Sequence, residues 1–290
     1  MNKIVITEDS GLNPIDQEHM IPGLIIDSEN QEYYDQKSMD EKVSSIHMEE
    51  IFRGFEEGKK YTTSAPKRID YEKTFESLLE EGYDILHLSI SENVSSSSYN
   101  SSMSIIKELQ EKYQNRIVGV HTKTAGSGGT ILCSYAQSLL KEKISLLELK
   151  EKIETLKSKV IGSHFISSCK GYLRSGRMPA GFKVADILGL RYRVDCNPDG
   201  KLVPTRIYRG KIKKQALKYI EELVNKNNVQ NYNPFGIALL HTPLKEIEYT
   251  TIVEYLKSLK YFKQIYESPF YGTISAYGVE DQLGLGLIKK

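Results

Sequence analysis

Residues 84–100 read DILHLSISENVSSSSYN, and the reading of this stretch decides the fold. Asp84 to Ile90 is an apolar run of strand length carrying Ile85, Leu86, Leu88 and Ile90. The loop SENVSSSS follows. A helix then runs from about Ser98 to Gln114, with Met103, Ile106, Leu109 and Tyr113 in register. Upstream, Tyr71, Phe75, Leu78 and Leu79 share one face of a helix over 69–82, which Gly82 closes. Downstream, Arg116 to Val120 is the next strand, and a glycine-containing loop leads into a helix over 130–140. Strand, helix, strand, helix in this order makes βαβ units and a mostly parallel sheet.

Lys3 to Thr7 (KIVIT) reads as a buried first strand, and Ile21 to Ile26 as a second candidate. Residues 27–45 are polar and read as irregular. Ser145-Leu-Leu-Glu148 is a capping box that opens another helix, with Leu146, Leu149, Ile153, Leu156 and Val160 as its stripe. Beyond about residue 160 the texture changes. Candidate strands cover 160–166, 190–194, 202–208, 236–241, 263–268 and 283–288, with long helices near 211–226 and 245–260. The expected architecture is therefore α/β, with a mostly parallel domain over 1–158 and a smaller α+β domain over 159–290. No linker rich in proline and glycine separates them, so the two are expected to touch.

The 290 residues carry 39 basic against 38 acidic side chains, a formal +1, which argues against a chain made to coat nucleic acid. Hydrophobic residues make up 39% and charged ones 27%, which suits a globular protein and not a disordered one. Cys133, Cys169 and Cys196 are scattered and form no CxxC pair, so neither a zinc ribbon nor a disulfide framework is supported. The opening MNKIVITEDS is no secretory signal, and no stretch of about 18 apolar residues is present to cross a bilayer. A cytoplasmic chain without stable membrane insertion is the expectation.

The usual catalytic signatures fail. GxxxxGK[ST] is absent, and Gly126-Ser-Gly128-Gly129 lacks the third glycine of a dinucleotide fingerprint. GxSxG is missing because Ala125 stands two residues before Ser127. The six histidines show neither HExxH nor HxE…CxxC spacing and read as packed or surface residues, so no metal is expected.

Two segments share a physical design. Thr62-Thr63-Ser64-Ala65-Pro66 precedes the helix over 69–82, and Ser95 to Ser98 precede the next one. Hydroxyls and free N–H groups at a helix start accept a phosphate or carboxylate. Ordinary capping or loop flexibility accounts for either segment alone. Lys201, Arg206, Arg209, Lys211, Lys213, Lys214 and Lys218 form a basic cluster, which is either a solvated helix face or a surface for phosphate or an acidic partner. Arg174 and Arg177 frame a second candidate anion site. By motif alone the chain does not look like an enzyme, while an enzyme acting on a phosphorylated small molecule through these anion sites and a nucleic-acid-associated regulator stay open as alternatives.

Seven segments, in collinear order, resemble the DegV family, the fatty-acid-binding proteins that include the bacterial FakB subunits. They are ITEDSGL, IPGLIIDSENQEYYD, TTSAP, SSSSYNSS, YLRSGRM, LGLRYRVDCNPDGKLVPTRIYRGKIKKQAL and SPFYGT. The resemblance implies a two-domain fold with a long-chain fatty acid such as palmitate held between the domains. It implies no catalytic residue and no cofactor beyond that ligand. The carboxylate would meet Thr63 and Ser96, with Ser64 and Ser97 beside them; because the serine loop is one residue longer than the family's, Ser95 or Ser97 is the alternative to Ser96. Arg177 and Arg209 would face a FakA-like kinase that phosphorylates the exposed carboxylate. Burial of a tail contributes about 0.8 kcal/mol per methylene, so the chain supplies affinity and the polar groups fix which end points out.

The sequence departs from the family pattern at several points. The family's histidine after SPVIGA falls on Ile274, the aspartate of its IDS segment on His121, and the lysine and proline of NIKPI on Arg191 and Tyr192. The glycine-rich stretch that follows is rewritten as residues 277–286. These changes imply a reshaped carboxylate end.

Overall fold

The computed structural model describes residues 3–174 and 188–290. Strands β1 (Ile4–Asp9), β2 (Met20–Ile21), β3 (Leu24–Asp27), β4 (Glu32–Asp35) and β5 (Ser45–Ile46) lead into helix α1 (Met48–Glu56). Next come β6 (Tyr61–Ser64), α2 (Arg68–Glu80), β7 (Asp84–Ser89), α3 (Ser96–Lys112), β8 (Ile117–His121), α4 (Ser127–Leu139) and α5 (Leu146–Leu156). The chain continues through β9 (Val160–Ile166), α6 (Lys170–Arg174), β10 (Leu190–Cys196), β11 (Leu202–Arg209) and α7 (Ile212–Leu223). It ends with β12 (Ile237–His241), α8 (Tyr249–Ser258), β13 (Ile265–Pro269), α9 (Gly272–Ser275) and β14 (Leu283–Ile288).

The βαβ units build a sheet of order β2-β1-β7-β8, parallel throughout. Val5, Ile85 and Ile117 point to the layer of α2 and α3, where Tyr71, Phe75, Ile105 and Ile106 are buried. Ile6, Leu86, Leu88 and Val118 point the other way, into a core shared with α4 and α5. Strands buried on both faces are what a parallel sheet demands, and this explains their unbroken apolar runs. The Ser145 capping box forms as read: Ser145 Oγ accepts from Glu148 N–H at 3.3 Å, and Glu148 returns a bond to Ser145 N–H at 2.9 Å.

The second half forms a six-stranded mixed sheet of order β11-β10-β9-β14-β12-β13. β9 and β14 coincide with the boundaries read from the sequence. Ala216, Tyr219, Ile220 and Leu223 of α7, with Ile252 and Leu256 of α8, bury their apolar stripes on Phe165, Leu239 and Leu285.

Local pattern did not reveal a third sheet. Residues 21–26 are not one strand. Pro22-Gly23 divides them, so β2 joins the parallel sheet and β3 joins a sheet of order β5-β4-β3-β6. The polar stretch 27–45 is not irregular throughout, for it contributes β4 and the edge of β5. β4 pairs with β3 across the short turn at 28–31, whereas β6 reaches β3 from far along the chain, Asp27 meeting Tyr61 and Leu24 meeting Ser64, and a local hydrophobic pattern does not encode that pairing.

Helix α4 lies between the large sheets, and nearly every residue of its first two turns is buried. Small residues permit this. A Cβ on Gly128 would fall 2.9 Å from Gly162 Cα of β9, and one on Gly286 of β14 would overlap the Ser127 carbonyl. Gly128 and Gly129, read from the sequence as part of a loop before a helix over 130–140, belong instead to the first turn of α4, which begins at Ser127. The close backbone approach also joins the two halves without a spacer.

Candidate ligand cavity

A cavity of about 390 Å³ opens where the three sheets converge. One wall is the carboxyl edge of the parallel sheet: Asp9 ends β1 and Ser10 and Gly11 follow it, Ile90 follows β7, and Ala125-Gly126 lies between β8 and α4. Open α/β sheets place ligand crevices at this edge. Gly23, Thr63 and Ser64 of the small sheet make a second wall, and His164, Thr273, Ile274, Tyr277 and Gln282 make a third. Residues before 158 and after 159 thus both line it. Its size falls in the usual range for small-molecule sites.

Ser95, Ser96, Ser97 and Ser98 all line this cavity. Ser95 is the N-cap of α3, although its side chain caps no backbone group. Its Oγ instead lies 2.7 Å from Ser98 Oγ. The helix begins at Ser96, two residues earlier than the sequence pattern placed it. Tyr99 N–H bonds to the Ser95 carbonyl at 3.2 Å. The N–H groups of Ser96 to Ser98 precede that bond and make up the positive end of a seventeen-residue helix. Ser96 and Ser97 are exposed, so the cavity meets solvent beside this helix end.

Thr63 and Ser64 line the same cavity, but the reason differs from the one expected. They do not open a helix. Thr63 pairs with Ile25 and Ser64 with Leu24 in the antiparallel β3/β6 ladder. Helix α2 starts only at Arg68, with Lys67 as N-cap and no side-chain cap. The Thr63 hydroxyl meets the Tyr277 hydroxyl at 2.6 Å. The structure therefore brings together two hydroxyl-bearing segments, one from a strand end and one from a helix start.

The remaining lining groups set the electrostatics. Asp9 is buried with both oxygens engaged. Tyr71 donates to it at 2.5 Å, the Ile90 N–H at 2.9 Å and Ser89 Oγ at 3.2 Å. On the third wall, His164 is fully enclosed, and burial pushes its pKa down to about 4, so its ring is neutral near pH 7. Ser127 Oγ stands 3.2 Å from its Nε2 and donates to the Ser163 carbonyl at 3.3 Å. Ile274 and His164 both flank Gly126: a Cβ there would lie 3.4 Å from Ile274 Cδ1 and 2.9 Å from His164 Nε2. Helix α9, which carries Thr273 and Ile274, is pinned to the small sheet by Asp35. That carboxylate accepts from Gly272 N–H at 2.7 Å and from the Thr273 hydroxyl at 2.7 Å.

Tyr277, His164 and Gln282 escaped the sequence reading. Alternation along β9 puts His164 on the cavity side, but no motif separates it from a packed histidine. Arg209 closes β11, is exposed and is not part of the cavity lining. Arg177 lies outside the described residues, as does the side chain of Arg174. Within the basic cluster, Arg206 pairs with Glu222 at 2.9 Å and Lys213 with Glu248 at 2.5 Å. His121, at the family's aspartate position, accepts from Glu92 N–H at 3.0 Å. Among the described residues no cluster of metal-ligating side chains occurs, and no helix is long and apolar enough to cross a membrane.

Comparison with known proteins agrees with this architecture. A DegV domain-containing protein of Clostridium perfringens is 27% identical over 255 residues, covering 85% of this chain and 84% of that one. A DegV family protein from Thermus thermophilus, described for its fatty-acid binding, superposes with a TM-score of 0.80 at 20% identity over the whole of both chains. The fatty acid kinase B3 protein of Streptococcus pneumoniae, solved loaded with linoleic acid, gives 0.80 at 19% identity over 98% of this chain and 99% of that one. These likenesses establish the shared fold. The family model described as uncharacterised protein, DegV family, matches residues 20–290, and the chain belongs to the DegV family.

Proposed function

We propose that this protein binds one long-chain fatty acid in the cavity and serves as a carrier without chemistry of its own. The observation that carries this reading is the meeting of Thr63 with Ser95 to Ser98 around one cavity at the N-terminus of α3. A carboxylate there accepts hydrogen bonds from hydroxyls and first-turn N–H groups and gains from the helix dipole. Thr63 and Ser96 hold the head group, with Ser64 and Ser97 beside them. The fatty-acid ligands of the Thermus and Streptococcus proteins, which share the fold, support the ligand class.

The exposure of Ser96 and Ser97 supports a head group that a partner enzyme reaches from solvent. A fatty-acid kinase is the partner of choice, with the exposed Arg209 among the residues that would face it. The segments 1–158 and 159–290 act as the two lobes that hold the ligand.

Calorimetric titration of delipidated protein with palmitate tests the reading. Replacing Thr63 by Val removes a hydrogen bond to a charged group and is expected to weaken binding about tenfold or more. Wild-type protein that takes up no fatty acid would overturn the proposal. Phosphorylation of the bound acid on addition of such a kinase and ATP tests the partner separately.

A further inference from the structure

The sheet wall of the cavity is polar in a way that a plain acyl chain leaves unused. Gln282 lines the cavity and is 2% exposed, and among the described residues its Oε1 has no hydrogen-bond partner. Its backbone is fixed: Gln282 N–H donates to Thr242 Oγ1 at 3.0 Å, and its carbonyl accepts from Thr242 N–H at 3.1 Å. His164 lies beside it. In the β9/β14 ladder His164 pairs with Gly284, two residues along from Gln282, so both side chains project from the same face of the sheet. Gly284 between them adds no side chain, and a Cβ there would press on His164 and Phe270.

Buried amide groups are hydrogen-bonded in stable proteins, and an orphan such as Gln282 Oε1 is costly. A hydrocarbon tail laid against this wall offers neither donor nor acceptor. We propose that Gln282 and His164 form a second polar subsite, which receives a hydroxyl group carried on the acyl chain, so that the preferred ligands are hydroxylated fatty acids. This inference rests on the fatty-acid reading above and deepens it. A hydroxyl suits the wall because it both donates and accepts, satisfying the orphaned Gln282 amide in either orientation beside a His164 ring whose Nε2 already meets Ser127 Oγ at 3.2 Å. A second carboxylate suits it less, since the described lining brings no cationic side chain against this wall. The carboxylate itself is assigned by that reading to the serine-rich start of α3.

The test compares stearic acid with a set of monohydroxylated stearic acids that differ in hydroxyl position, by calorimetry on delipidated protein. The expected result is about tenfold tighter binding of one positional isomer, corresponding to about 1.4 kcal/mol. Gln282→Leu is expected to abolish that preference while retaining stearic acid. Gln282→Met and His164→Phe are read in parallel, so that poor folding of one variant leaves the comparison standing. Equal affinity for stearic acid and every hydroxylated isomer overturns the subsite and leaves the carrier reading intact. A preference that survives all three substitutions also overturns it. Failure of both ligand classes to bind overturns the carrier reading and the subsite with it.

Discussion

The hydroxyl of Thr63 lies 2.6 Å from the hydroxyl of Tyr277, although 214 residues separate them in the chain. The contact ties the small sheet to the segment behind α9 across the cavity. It also orients Thr63. If Tyr277 donates to Thr63 Oγ1, the Thr63 proton is left for a ligand oxygen. Tyr277→Phe should therefore weaken fatty-acid binding about fivefold, the worth of one neutral hydrogen bond, and less than Thr63→Val does. Calorimetry on both single variants and the double variant checks this, since coupled residues give a double-variant loss smaller than the sum.

Ile274 lines the cavity, and the sequence resemblance sets it against a histidine of the family pattern. Ile274→His should add a donor near the ligand head and tighten binding of a long-chain acid several-fold. Direct titration reads the effect. An unchanged affinity would mean that the carboxylate sits away from α9, nearer the serines of α3.

Glu8 is fully buried at the end of β1, and loss of solvation raises its pKa from 4.5 to about 8. The Gln137 amide, 3.2 Å away, and the Lys37 charge oppose the rise, while Asp16 and Asp9 add to it. Between pH 4.5 and 8 the folded chain keeps a proton that the unfolded chain has released. Stability therefore falls as pH rises through this window, by up to about 5 kcal/mol, and the loss is complete above it. Glu8→Gln should flatten the decline and raise the melting temperature at pH 9. Thermal unfolding of both proteins from pH 5 to 9 measures it.

Gly126 has φ 53° and ψ −126°, a conformation that only glycine adopts without strain. A Cβ there would also sit 2.9 Å from His164 Nε2. Gly126→Ala should cost about 1–3 kcal/mol in urea unfolding from backbone strain alone. It should also reduce ligand affinity, because the methyl group enters the cavity between His164 and Ile274.

Much of the fold was legible because it is written locally. The unbroken apolar runs of β1, β7 and β8 and the Ser145 capping box each carry their own signal. Helix α1 was legible too but went unread, since Met48, Ile51, Phe52 and Phe55 fall at helical spacing. The small sheet was hidden for a physical reason. β6 gains its stability by pairing with β3 from far along the chain, and β4, although only a short turn from β3, is polar and carries no unbroken apolar run. The same reason misassigned Thr63, which reads as a helix cap and stands on a strand. His164 and Gln282 were beyond local reading, because what makes them functional candidates is the cavity they share, and only the tertiary fold creates it.

Native mass spectrometry of gently purified protein tests the central claim most directly. The account predicts a complex heavier than the bare chain by one long-chain fatty acid, released on denaturation and regained on incubation with the acid. Thr63→Val protein should carry markedly less of it. A bare mass for the wild-type chain that stays unchanged after exposure to long-chain acids would contradict the account.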